Sequence, residues 1–307
     1  MLACNCPPPL KPGDELAVVA PSGALRESAA LQASLALWEG QDYRIKLMRG
    51  FDARWGYLAG TDAHRRQQLQ AAWQDPDCRG VICARGGFGG TRLLESWQWP
   101  PGEPKWLIGF SDITSLLWSL GQRGISGVHG PLMTTLSQEP DWSQQRLFDW
   151  VAGRSLSPLP GQPWASGQVT GPLLPANLTV ATHLLGTAHE PDLRGAILAL
   201  EDVTEAPYRL DRMLTHWRML GKLSQLGGIA LGRFSRCEPP DNVPSFKVEE
   251  VLRDRLGDLG IPVVAELPFG HDGVNAALPV GISATLDGDH GTLAIHSPIP
   301  TNDSPSQ

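Results

Sequence analysis

Short apolar runs alternate with helix-like stretches from the start of the chain. Glu15–Ala20, Tyr43–Met48, Gly80–Ala84 and Lys105–Gly109 read as strands. Between the second and third, Thr61-Asp62 precedes Leu69, Ala72 and Trp73, an N-cap followed by apolar residues at helical spacing. Parallel strands need crossover connections, and helices of this length supply them. The pattern predicts an α/β fold whose amino-terminal part is a mostly parallel sheet covered on both faces.

Residues 154–168 hold three prolines and follow neither a period of two nor one of 3.6, which predicts a linker. Domains are therefore expected over 1–153 and 169–297. The second begins with a helix near Asn177–Leu185 and a strand at Ala196–Leu200, followed by an amphipathic helix around Leu210–Leu220. Further strands near Ile261–Ala265 and Val280–Leu286 make it a mixed α/β domain. The polar tail 298–307 is expected to be disordered.

Composition narrows the classes. At 307 residues the chain exceeds one average domain, and 41% hydrophobic with 19% charged residues is ordinary globular composition. A net charge of −7 without a Lys or Arg cluster argues against a nucleic-acid partner. The five cysteines are scattered, without the spacing of a zinc site or a disulfide framework, so no metal is expected and a reducing cytoplasm is. The apolar run Leu16–Ala20 is too short for a signal peptide or a membrane span.

Chemistry is suggested at four places. Ser111 lies where the strand Lys105–Gly109 turns into the helix-like Ser115–Leu120, the carboxyl end of a strand, where α/β sheets place ligands. The turn resembles a nucleophile elbow but lacks the second glycine of G-x-S-x-G, and Ser111 or Asp112 could equally be a helix cap. A serine nucleophile needs a base, usually an imidazole oriented by a carboxylate. Glu201 directly follows the strand Ala196–Leu200, and His271 follows the turn Leu267–Gly270. The chain order Ser, Glu, His is that of α/β hydrolases. His129, after another short apolar run, competes with His271, and the sequence alone favours neither. The run Arg85-Gly86-Gly87-Phe88-Gly89-Gly90 matches no nucleotide loop; it could bring backbone N–H groups to a substrate oxygen or simply supply positive φ.

Taken together these segments resemble the serine LD-carboxypeptidase family, the muramoyltetrapeptide carboxypeptidases, which includes the microcin-immunity peptidases. The resemblance runs through Pro12–Asp14, Val18–Ser22, Gly56–Gly60, Ala84–Gly89 and Gly109–Thr114. It continues through His129–Pro131, Leu200–Val203, Pro207–Leu214 and Pro268–His271. It implies Ser111 as nucleophile, Glu201 as acid and His271 rather than His129 as base, with oxyanion donors at the Asp112 N–H and at Gly86 or Gly87. No cofactor is implied. Arg85, with Arg212 as alternative, is the candidate anchor for a substrate carboxylate. The implied activity is release of terminal D-alanine from murein peptides in peptidoglycan recycling, by a cytoplasmic homodimer with its site in an interdomain cleft. Two alternatives stand beside it: an amidase or esterase acting on aminoacyl-nucleotide conjugates, and a catalytically silent binding protein. One departure is Pro175-Ala176 before Asn177-Leu178, where many relatives carry two glycines; a proline there puts any backbone role of that loop in doubt.

Overall fold

The computed structural model describes residues 4–26, 28–239 and 241–297, so the tail 298–307 lies outside the described residues. The amino-terminal strands are β1 (Glu15–Val19), β2 (Arg44–Leu47), β3 (Cys78–Cys83), β4 (Trp106–Gly109) and β5 (Val128–His129). They pair in parallel in the order β5-β4-β3-β1-β2. In β1 the side chains of Leu16 and Val18 enter one apolar cluster and those of Ala17 and Val19 the other, so the strand is buried on both faces. This two-sided burial explains why the run reads as continuously apolar rather than alternating.

The second sheet holds β6 (Leu159–Pro160), β7 (Gln162–Ala165), β8 (Gln168–Asn177), β9 (Ile197–Val203), β10 (Gly228–Ser235) and β11 (Val263–Ala265). β12 (Leu278–Pro279) returns to the first sheet beside β5, whereas β13 (Ser283–Asp287) and β14 (Thr292–Ile295) stay in the second. Of the stretch expected as one strand over Val280–Leu286, only Ser283–Leu286 is strand, in β13; Val280 and Gly281, the latter at φ +75°, form the turn that leaves β12. The second sheet runs β6-β14-β13-β8-β9-β10-β11-β7, with parallel pairing from β8 to β11 and antiparallel flanks. It is mixed, as expected.

The proline-rich stretch 154–168 contributes β6 and β7, which form the two opposite edges of this sheet. Proline has no N–H to donate, so an edge is where a ladder tolerates it. The sheets are joined through α4 (Thr114–Gly121): its buried Trp118 donates Nε1–H to the Pro175 carbonyl of β8 at 3.1 Å. Pro175 therefore serves as an acceptor in the packing between sheets, a role that its missing N–H does not affect.

Candidate active site

Chain direction brings three loops to the carboxyl ends of parallel strands in the first sheet: Ser22 after β1, Arg85–Gly87 after β3 and Ser111 after β4. Ser111 has φ +63°, a left-handed conformation that costs a non-glycine residue on the order of 1–3 kcal/mol. Such strain persists only where the surroundings impose it. They do so here through Asp112, which is almost wholly buried. Its Oδ2 accepts hydrogen bonds from Ser22 Oγ at 2.5 Å and from the Gly90 N–H at 2.7 Å. Burial raises the Asp112 carboxyl above the usual carboxylate range, and those two donors act against the shift. Buried Arg65 braces the same loops by donating Nη1–H to the carbonyls of Pro21 and Gly89.

Two glycines are required by close approach. At Gly109 a Cβ would lie 2.6 Å from Ile113 Cγ2, so only glycine lets the chain reverse so tightly after β4. At Gly86 a Cβ would lie 3.1 Å from Ser111 Cβ and 3.4 Å from its Oγ, which places this backbone directly against the serine. Among the described residues, the N–H groups of Gly86 and Gly87 donate no hydrogen bond. The helix-cap alternative for Ser111 finds no support in the bonding: the helical turns after it have no side-chain cap.

The second sheet supplies the opposite wall. Glu201 lies inside β9, which pairs with β10 as far as Val203 rather than ending at Leu200 as expected. The side chain of Glu201 is fully buried, and its Oε2 lies 2.7 Å from His271 Nδ1. The Asn177 amide donates to Glu201 Oε1 at 3.1 Å and to Asp202 Oδ1 at 3.0 Å, while its Oδ1 caps α6 (Leu178–Leu184) by accepting from the Val180 N–H. Asp202 turns the other way, to the N–H and hydroxyl of Thr179, both at 2.8 Å. Burial, with Glu201 beside it, raises the Asp202 carboxyl to about 6.

His271 retains side-chain exposure and lies on the Phe110 ring, centroids 4.4 Å apart. His129 also packs against Phe110, edge to face with centroids 5.0 Å apart. His129 is fully buried in β5, neither ring nitrogen has a partner among the described residues, and burial, reinforced by the His271 charge, depresses it to about 3. Two histidines thus pack on one aromatic ring, one bonded to a carboxylate and the other without a partner among the described residues.

Ser111, His271, Arg85, Gly86, Gly87 and Phe110 line one cavity of about 660 Å³. No hydrogen bond joins Ser111 to the His271 ring among the described residues; the cavity and the shared contact with Phe110 bring them together. Arg85 folds back over its own loop, donating Nη1–H to the Gly86 carbonyl at 3.2 Å. Arg212 lies elsewhere, over the Tyr208 ring in a groove with Thr179 and His216. The cavity also holds residues that no motif indicated: Arg236, paired with Asp272 at 2.7 Å, and Glu139 and Asn275. Arg236 sits just past β10 at φ +54°, a backbone conformation that no sequence motif announces. Among the described residues no three His, Cys, Asp or Glu side chains are grouped to hold a metal, and no helix is long and apolar enough to cross a membrane.

Known proteins share this arrangement of sheets. Residues 16–130 match the LD-carboxypeptidase N-terminal domain, and residues 170–286 match the LD-carboxypeptidase C-terminal domain. The chain belongs to the LD-carboxypeptidase family. It is 60% identical over 289 residues to a putative carboxypeptidase of Synechocystis sp., covering 94% of this chain and 96% of that protein. It is 36% identical over 293 residues to the murein tetrapeptide carboxypeptidase of Pseudomonas aeruginosa, covering 89% and 93%. The crystal structure of muramoyltetrapeptide carboxypeptidase from Oxalobacter formigenes superposes with a TM-score of 0.80 at 28% identity, covering 92% of this chain and 97% of that one. For this LD-carboxypeptidase chain, family membership makes hydrolysis of a carboxy-terminal amide bond the reaction class against which the cavity is read.

Proposed function

We propose that the chain is a serine LD-carboxypeptidase that releases the terminal D-alanine of a murein tetrapeptide. The observation that carries this reading is a strained serine sharing one cavity with a histidine whose other face is bonded to a buried carboxylate. The relatives named as acting on murein peptides supply the substrate class.

In this mechanism Ser111 Oγ attacks the carbonyl carbon of the residue preceding D-alanine and passes its proton to His271 Nε2. Glu201 accepts the Nδ1–H bond, which fixes the tautomer and stabilises the imidazolium. The Asp112 N–H, on the residue after the nucleophile, and the Gly86 N–H receive the developing oxyanion. Gly86 is preferred to Gly87 because its backbone is the one against Ser111. Collapse of the tetrahedral adduct breaks the C–N bond, and His271 gives its proton to the departing D-alanine amine. Water, deprotonated by the same ring, then hydrolyses the acyl-serine. Arg85, beside the oxyanion loop, serves the free carboxylate of D-alanine, and Arg236 adds a second cation to the same cavity. Arg212 has no part in this site. In this reading the enzyme works in the cytoplasm as a homodimer of two-domain subunits divided over 154–168, and sedimentation would measure the dimer.

Incubation of the purified protein with a murein tetrapeptide, followed by mass spectrometry, should reveal free D-alanine and the matching tripeptide. An intact tetrapeptide together with cleavage of an aminoacyl-nucleotide conjugate would replace this function with the amidase alternative. Failure to cut either would leave the cleft as a binding site.

A further inference from the structure

Glu139 presents an energetic anomaly in the wall of the cavity. It is only 8% exposed, and among the described residues it makes no ion pair. Its Oε2 accepts hydrogen bonds from the Asn275 N–H at 2.8 Å and from Ser143 Oγ at 3.0 Å. No described residue donates to Oε1. Desolvating a carboxylate costs several kcal/mol unless charge and hydrogen bonds offset it, and burial indeed raises this carboxyl above its usual range. Arg233 acts on it only through space and gives its own Nη2–H to the Val274 carbonyl.

Asn275 carries the complementary anomaly. Its Oδ1 accepts from the Gly270 N–H at 3.2 Å, but its buried Nδ2 has no acceptor among the described residues. The two residues are bonded through the Asn275 N–H and line the same cavity as Ser111 and His271, and each keeps one polar atom without a partner among the described residues. The other acidic residue of the cavity, Asp272, is half-exposed and already paired with Arg236. Glu139 is thus the carboxylate that a bound cation would satisfy.

We propose that Glu139 is a specificity-determining residue that receives a free side-chain ammonium group on the amino acid whose carbonyl Ser111 attacks. The cavity would then read both ends of its substrate by charge, a carboxylate at Arg85 and an ammonium at Glu139. This inference rests on the carboxypeptidase reading above.

The test uses pairs of tetrapeptides that differ only in the amine at the third residue: meso-diaminopimelate against 2-aminopimelate, and lysine against norleucine. In the pair that is cut faster, wild type should favour the amine-bearing peptide by about tenfold to a hundredfold in kcat/KM, the range of a charged hydrogen bond. Glu139→Gln keeps an oxygen for the Asn275 N–H and removes the charge, so the ratio should fall to near one. A variant that slows both peptides in proportion would make Glu139 a mere brace for the loop carrying His271 and would overturn the inference. Equal rates in wild type would overturn it as well while leaving the carboxypeptidase function intact. Absence of cleavage for every tetrapeptide would instead remove the function itself, and the inference with it.

Discussion

The wall around Ser111 is made of backbone, whereas the wall around His271 is made of side chains. On the first, a reversed chain at φ +63°, a glycine whose Cβ would crowd the serine and two bonds to buried Asp112 fix the serine just after β4. On the second, His271 depends on Glu201, Glu201 on Asn177, and the loop from Gly270 to Asn275 on Glu139. These partners come from distant parts of the chain. The contrast teaches that a nucleophile can be presented by local geometry, while its base must be held by a network that exists only after both sheets have packed. Substitutions in the first wall should therefore act on the chemical step at little cost to stability, and substitutions in the second should often touch both.

The largest test of this division sets the two histidines against each other. His271→Ala should lower kcat on the order of 10⁵- to 10⁶-fold, as loss of a triad base does. His129→Phe, which keeps a ring against Phe110, should change it less than about tenfold, because His129 is fully buried and neither ring nitrogen has a partner among the described residues. Equal collapse in two folded variants would erase the distinction. Next in size is Gly86→Ala, whose new methyl would meet Ser111 Cβ at 3.1 Å. Displacing this oxyanion donor should cost about 10²- to 10³-fold in kcat with KM nearly constant. A loss confined to KM would make the loop a binding element only.

Asn177→Ala crosses from one property to the other. It deprives Glu201 and Asp202 of a donor and α6 of its cap, which should cost about 2 kcal/mol in a urea titration. An unchanged midpoint would show that the second wall does not depend on this network. The smallest effect is one of pH. His129 is held neutral in the folded chain down to about 3, while in the unfolded chain it protonates near its ordinary value of about 6.5. Its folded value is depressed, so its contribution is present above about pH 6.5 and is lost as pH falls toward 3. Between pH 7 and 5.5 wild type should lose about 1 kcal/mol more stability than His129→Phe. Parallel curves for the two proteins would mean that the buried ring titrates freely.

The same contrast explains what could be read without coordinates. The alternation of apolar runs and helices over the first sheet was legible because β1, β3 and β4 are buried on both faces and joined by local crossovers. The turn at Ser111 was legible because strand, glycine, serine and helix are consecutive. The second half was harder to read. The prolines of 154–168 suggest a linker, yet Pro160 and Pro163 lie in edge strands whose partners, β14 and β11, come from the far end of the chain. Nothing near Val280 announces that the chain leaves one sheet for another. The choice of His271 over His129 needed the family resemblance, since both follow apolar runs and only the folded chain brings Glu201 to one of them. Glu139, Asn275 and Arg236 sit in no motif; each acquires meaning from partners, or from missing partners, supplied by packing.

The central claim is that Ser111 supplies the attacking oxygen, and D-alanine release by Ser111→Ala tests it most directly. The substitution removes one partly exposed oxygen and should leave the unfolding transition unchanged, while the rate on a murein tetrapeptide should fall on the order of a million-fold. A folded variant that retains more than about a tenth of the wild-type rate would contradict the account.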